Sequence, residues 1–310
     1  IPYKGDINSV TNIKKDLKKD FKFSADNDSC NKDGINGEYE KVCIPYCFNK
    51  IGSSLQDYKG DVWFEKDFEI EKIENMPVIR LNFLGCFLKT DVWIDGEHYV
   101  QNTEGYLPFS LDISHLSSGK HKLVLKINNE IDKQTLPTKL FEEHKSAWHL
   151  FSGIHKDIYI EYQSQISIFK LKCIPKKQDS GWVVETSTLM ERLNYDKEKS
   201  VKCSLKINDA NKKIVAEKEI SITNNPGERV SGKTVSVPIE SAELWDVDSP
   251  NLYTMTAITE YEKSFVSFGL REISWADGKI FINSKPTFLN GISRHESNFV
   301  KDSEEYDKQV

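Results

Sequence analysis

The chain has 310 residues, 38% of them hydrophobic and 29% charged, with a formal net charge of −6. That length suits about two domains with cores of their own, and a mildly acidic chain without a basic face argues against a nucleic-acid partner. No apolar run approaches the ~20 residues a membrane helix needs, so no membrane span is expected.

The first residue is Ile1 rather than methionine, a start expected from signal-peptide removal, other processing or trimming. The charged run Lys14 to Asp20 has mixed signs and predicts a solvated face. Asn27-Asp28-Ser29 is a glycosylation sequon on a polar turn, with Asn27 as the acceptor. Cys30, Cys43 and Cys47 crowd into a loop-like stretch. No histidine cluster accompanies them at zinc spacing, so neither a metal site nor a cofactor is expected. In an oxidising compartment either Cys30–Cys43 or Cys30–Cys47 closes a surface loop. The sequon suggests a secreted or lysosomal protein.

The pattern that follows is β. Val62 to Ile70, Val78 to Phe83, Asp91 to Asp95, His121 to Ile127 and Asp157 to Tyr162 are rich in branched and aromatic residues and partly alternate, which puts one face in a core and the other in water. Asp95-Gly96, between apolar runs, predicts a tight turn. A second β unit runs from about Ile166 to Ser274, with strands at Ile166 to Leu171, Trp182 to Thr186, Ser200 to Leu205 and Leu252 to Ile258, separated by polar turns at Lys176 to Gly181 and Asn224 to Gly227. Short strands without helical segments between them imply sandwiches rather than a parallel α/β sheet. Cys86, Cys173 and Cys203 lie within strand-like runs and read as small buried hydrophobes.

Few residues invite a chemical reading. Trp63, Trp93 and Tyr106 offer a stacking platform for a sugar ring, but tryptophans in alternating strands are expected in the core. The histidines are scattered, no calcium-loop pattern occurs, and no Gly-x-Ser-x-Gly signals a serine hydrolase.

Several stretches carry a family resemblance. Phe265 to Ile273, Asp277 to Pro286 and Phe288 to Glu296 resemble the junction leading into the catalytic barrel of glycoside hydrolase family 2, and Trp245 and Pro250-Asn251-Leu252-Tyr253 are shared across that family. Within it the chain is most similar to β-glucuronidases. Phe21 to Asp26 resembles their opening strand. Ile44-Pro45-Tyr46-Cys47-Phe48-Asn49 resembles their Val-Pro-Ser-Ser-Phe-Asn, with Tyr46 and Cys47 replacing the serines. Gly105-Tyr106-Leu107-Pro108-Phe109 with Asp112-Ile113-Ser114, then Ile127-Asn128-Asn129 with Thr135-Leu136-Pro137, match further segments in the same order.

The fold class expected is therefore all-β: a jelly-roll (galactose-binding-like) sandwich over residues 1–163 and an immunoglobulin-like β-sandwich over 164–275. Residues 276–310 would add a stub of a (β/α)8 barrel, with Lys279 to Ser284 as the hairpin at its floor and Phe288 to Ile292 as its first strand. A barrel needs ~200 residues or more, so the chain reads as the front of a glycosidase without its chemistry.

Retaining glycosidases use two carboxylates ~5 Å apart. The family places both glutamates on later barrel strands, so no catalytic residue is expected here and the chain alone is expected to be inactive. Arg294, His295 and Glu296 are expected as remnants of the substrate pocket, ordering the strand mouth, with Ser293 in place of the family's asparagine. The resemblance also covers Trp148 to Ile158. Where glucuronidases carry a substrate-reaching aspartate, ungapped alignment places Ala147, which cannot accept a hydrogen bond from a sugar; a gapped loop would offer Glu142 or Glu143. Lys156 replaces an arginine and loses its bidentate fork.

Two functional readings follow. The chain is the non-catalytic N-terminal portion of a β-glucuronidase-like hydrolase, or it is a secreted stand-alone module that binds a glycan or a protein. In either case Phe281, Ile282, Phe288, Leu289 and Ile292 form an apolar edge that needs cover. A second chain carrying the barrel, a homo-oligomer covering residues 279–293, or folding back onto the second sandwich would supply it.

Overall fold

The computed structural model describes residues 8–9, 11–136, 150–193 and 196–292. Every helix or strand among them is a β-strand. One layer of the first sandwich is a six-stranded antiparallel sheet in the order Glu97–Asn102, Lys89–Ile94, Gly119–Asn128, Asp61–Ile70, Phe21–Ser24, Glu40–Val42. Facing it are Phe109–Asp112, Val78–Phe83, Ile158–Gln163 and Ile13–Asp16.

Period-two alternation decides which side chains meet. In Gly119–Asn128, Leu123, Leu125 and Ile127 enter the main core beside Phe21, Phe64, Leu81 and Ile160. Val124 points to the other face, into a small outer cluster with Trp63 and Ile35. The hairpin Cys30–Asn31 and Gly34–Ile35 packs against this outer face. Glu65, 2% exposed, is anchored beneath it: Lys22 Nζ donates to one oxygen at 2.6 Å and the Ile35 N–H to the other at 2.8 Å. Burial pulls the Glu65 pKa up, but these donors and Lys122 outweigh it and hold the carboxylate below its ordinary range.

The Asp95-Gly96 turn forms as expected, with both residues at positive φ, 50° and 80°, the pair of values a two-residue type I′ hairpin requires. The charged run near the start is solvated as expected, yet Ile13–Asp16 is also an edge strand. Its lysines are tied down: Lys15 pairs with Glu71 at 2.6 Å and Lys18 with Asp157 at 2.9 Å. A charged edge discourages further strand pairing.

The second sandwich packs the sheet Asn8–Ser9, Lys263–Phe268, Tyr253–Ile258, Lys199–Asn208, Ile214–Asn224 against Ile166–Gln178, Gly181–Arg192 and Val230–Ile239. Trp182, Met190, Leu205, Met255 and Phe268 are in its core. Asn8 and Ser9 pair with Phe265 and Ser264, so these two residues belong to this sheet although the expected first domain, residues 1–163, includes them. Cys86 and Cys203 are buried as expected, while Cys173 is half-buried; burial pushes the Cys173 thiol up to about 12.

A third, small sheet is a meander of Ile273–Ala276, Lys279–Ile282 and Lys285–Thr287. Its two turns, Asp277-Gly278 and Asn283-Ser284, have positive φ throughout. Lys279 to Ser284, expected as a hairpin by itself, supplies the middle strand and second turn of this sheet, whose first strand begins at Ile273, within the range expected for the second sandwich. Residues 288–292, expected as a barrel strand, have no regular structure, because no strand among the described residues offers them a ladder of backbone partners.

The sandwiches meet at a polar joint. Arg80, in the middle of Val78–Phe83, faces Asp112 and Glu161 across its two neighbouring strands. Its Nη2 donates to Glu191 of the second sandwich at 2.5 Å, and the Arg229 Nε reaches the other Glu191 oxygen at 2.9 Å. Only Ser164 and Gln165 separate the last strand of one sandwich from the first of the next.

Candidate functional site

Segments far apart in the sequence converge at one region of the first sandwich. Tyr46–Cys47, Gly153–Ile154 and Cys86–Phe87 form a three-stranded sheet. Gly153 has a φ of 123°, and a Cβ there would stand 2.5 Å from the Tyr46 carbonyl oxygen; only glycine permits this approach. Asn49 secures the next stretch, donating to the Leu150 carbonyl at 2.8 Å and accepting from the Ser152 N–H at 2.7 Å. Asn129 donates to the Ser152 hydroxyl at 3.3 Å.

Above this floor, His155 donates from Nε2 to the Gly105 carbonyl at 2.7 Å. Burial lowers the His155 pKa, although the Gly105 carbonyl opposes it, so the ring is neutral at neutral pH. Tyr106 packs its ring against Phe87 at 5.1 Å and His155 at 5.6 Å. Tyr106, Leu107 and Leu136 are nonetheless 47%, 48% and 56% exposed. A parallel bridge joins Glu104 to Leu136. The result is a half-apolar rim of Gly105 to Leu107 beside Leu136, resting on buried Phe87, Leu88 and Ile131.

This rim can pack against a ring or another surface, but it is poor in proton-transfer groups. Asp132 pairs with Lys89 at 3.2 Å, and the Gln134 N–H together with Lys89 holds its carboxyl below the usual range. An acid so held is not a proton donor at neutral pH. No group of three or more metal-ligating side chains occurs among the described residues.

The expected stacking platform is divided. Trp63, 8% exposed, stacks on Trp93 at 5.8 Å beneath the outer hairpin, whereas Tyr106 belongs to the rim. Asn27 is on an exposed turn, where its amide donates to the Tyr58 hydroxyl and Asp61 carbonyl and accepts from the Trp63 indole at 2.8 Å. Neither expected cysteine pairing is made: Cys30, Cys43 and Cys47 are free thiols, with Cys43 exposed and Cys47 buried. The pocket remnants Arg294, His295 and Glu296, and the loop residues Glu142, Glu143 and Ala147, lie outside the described residues. Lys156 is exposed.

A second feature is the uncovered meander. Trp275 and Phe288 are 82% and 85% exposed. Ile282 is buried, and Asn283 ties the sheet to the second sandwich by donating to the Trp245 carbonyl at 2.9 Å. Folding back therefore covers only the base of this element, and Phe288, Leu289 and Ile292 stay exposed.

A jelly-roll sandwich, an immunoglobulin-like sandwich and an apolar platform after them define a modular all-β protein, a fold that by itself assigns no activity. Comparison with known proteins supplies the family. The family model described as "Glycosyl hydrolases family 2, sugar binding domain" matches residues 28–163, and that described as "Glycosyl hydrolases family 2" matches residues 166–271. The chain belongs to glycosyl hydrolase family 2. It is 23% identical over 283 residues to a beta-glucuronidase of Streptococcus agalactiae, covering 84% of this chain and 44% of the relative. It is 26% identical over 259 residues to the beta-galactosidase BoGH2A of Bacteroides ovatus, covering 76% of this chain and 28% of the relative. The crystallised β-glucuronidase of Ruminococcus gnavus in complex with D-glucaro 1,5-lactone shares the fold, with a TM-score of 0.73 at 19% identity, over 94% of this chain and 50% of that one. The chain thus spans half or less of the length of these proteins and corresponds to the non-catalytic N-terminal portion of a β-glucuronidase-like member.

Sequence reasoning missed the Arg80–Glu191–Arg229 joint. A signal was present: Arg80 interrupts the apolar run Val78 to Phe83, and a charge in the middle of such a strand needs a partner once buried.

Proposed function

We propose that this chain supports and flanks the catalytic barrel of a hydrolase that removes terminal β-glucuronosyl groups, and that alone it is catalytically silent. The observation that carries the reading is the meander. Trp275 on it, and Phe288 and Ile292 just beyond it, are 82%, 85% and 82% exposed at one end of the described chain. Leaving such side chains in water forfeits roughly 1.5–3 kcal/mol each relative to burial, and a barrel docked there recovers it. The exposed rim of Tyr106, Leu107 and Leu136 would wall the substrate entrance.

Intact-mass measurement of the protein from its source, paired with chromogenic β-glucuronide and β-galactoside assays, tests this. The expected result is turnover of the glucuronide only by material that contains a barrel. Turnover by a lone 35.7 kDa species would overturn it.

The same exposed rim favours a second reading, a stand-alone glycan-binding module. A glycan array probed with the purified chain would show binding lost on Tyr106→Ala. We further propose a secreted or lysosomal address with a glycan on Asn27, which its exposed turn supports; peptide mapping of native protein reads both the glycan and any bridge among Cys30, Cys43 and Cys47.

A further inference from the structure

The joint between the sandwiches encloses a cavity of about 200 Å³. Its floor is formed by Arg80 and Gln163 of the first sandwich and Arg192 of the second, which are 3%, 0% and 3% exposed. Leu193 and Arg229 at its rim are exposed, so a solute can enter from water.

The hydrogen-bonding capacity of this floor is unequal. Arg80 spends Nη2 on Glu191, but its Nε and Nη1 have no partner among the described residues. Arg192 spends Nη2 on the Asn225 carbonyl, and its Nε has none. Of the carboxylates nearby, Glu191 is engaged by Arg80 and Arg229, Glu161 by Asn12 and the Gln163 amide, and Asp112 through one oxygen by the Ser114 hydroxyl and N–H. What remains unpaired at full burial is a set of guanidinium donors and the Gln163 Oε1, an acceptor. Buried donors left unpaired are costly, and guanidinium groups match oxyanions in geometry and charge. The buried Gln163 acceptor asks the same ligand for a hydrogen to donate.

We propose that this cavity binds a small oxyanion that also carries an O–H, hydrogen phosphate or an α-hydroxycarboxylate, and that the bound anion pins the two sandwiches in one orientation. Its acceptor oxygens take the free N–H groups of Arg80 and Arg192, and its O–H donates to Gln163. Because the floor is contributed by both sandwiches, the ligand stabilises the joined pair.

Thermal melting of the 310-residue chain in phosphate, L-lactate, sulfate and chloride at constant ionic strength tests the proposal. Phosphate or lactate is expected to raise the midpoint saturably, by about 3 °C at tenfold excess over its dissociation constant. The better of the two identifies the ligand class. Sulfate, which has no O–H at neutral pH, is expected to act at least tenfold more weakly. Gln163→Leu should level phosphate with sulfate, and Arg192→Gln should weaken every oxyanion tenfold or more. Isothermal titration of the unaltered chain with phosphate gives the same reading if a variant fails to fold. Equal midpoints in all four salts, or no titration heat, would mean that ordered water alone fills the cavity and would overturn the proposal.

Discussion

Arg80 and Glu191 belong to different sandwiches and to strands far apart in the chain, yet their side chains meet at 2.5 Å with 4% and 6% of their surfaces exposed. Arg229 completes the arrangement at 2.7 Å. Removing one partner strands a buried charge, so Glu191→Ala is expected to cost about 3–5 kcal/mol. Replacing both, as Arg80→Met with Glu191→Leu, should cost clearly less than either loss alone implies. Urea unfolding of the two singles and the double reads the coupling directly; additive losses would refute it.

Two histidines bias stability in opposite directions with pH. His121 gives Nδ1 to Asp95 at 2.6 Å and Nε2 to the Ser117 carbonyl at 2.9 Å. Both partners are acceptors, so the ring is held as the imidazolium. Burial lowers its pKa, but Asp95 and the Ser117 carbonyl outweigh it and the net shift is upward. Its contribution is complete below the unfolded value of ~6.5 and is lost as pH rises through the higher folded one. Asp95 shifts down, with burial outweighed by His121 and the Lys122 N–H, so its share is lost only as pH falls through that depressed value. His155 behaves oppositely to His121: its folded pKa is lowered, and its contribution, present above ~6.5, is lost in acid. His121→Gln is therefore expected to lose more stability below pH ~6 than in alkali, and His155→Leu more in alkali than in acid. Urea midpoints across pH give the two slopes, and parallel curves for variants and parent would contradict the assignment.

The apolar residues just beyond the meander bear on association. Phe288 and Ile292 are 85% and 82% exposed, so Phe288→Ser with Ile292→Ser should shift the melting midpoint little, within about 0.5 kcal/mol of stability. The pair should also suppress concentration-dependent self-association. Sedimentation velocity of parent and double variant decides it, and identical association would place the sticky surface elsewhere.

Gly153 tests the floor of the rim. Because a Cβ would approach the Tyr46 carbonyl to 2.5 Å at a φ of 123°, Gly153→Ala is expected to destabilise by more than ~1 kcal/mol. Gly119→Ala, where nothing lies within 4 Å of the added carbon, shares the positive φ but not the crowding. The difference between the two variants in thermal melting isolates the clash.

Much of the architecture was legible because alternation is a local property. Val78 to Phe83 was read with the bounds it has, and Asp95-Gly96 was identified as a turn from two residues. Ile13–Asp16 was not read as a strand, because its lysines and aspartate mask an edge position that only pairing with Ile158–Gln163 creates. Phe288 to Ile292 is expected as a barrel strand only because of the family resemblance, and a resemblance supplies no backbone partners.

The order of side chains along the chain was enough to establish two β-sandwiches and the family to which they belong, the first from local alternation and the second from short motifs in the right order along the whole chain. The placement of Asn8–Ser9 in the far sheet, the gathering of Asn49, Gly105, Asn129 and His155 at one rim, and the closing of Arg80, Gln163, Glu191 and Arg192 around a cavity were decided by tertiary structure. These depend on which strands become neighbours, and burial gives a charge or a carbonyl its consequence only after the chain has folded around it.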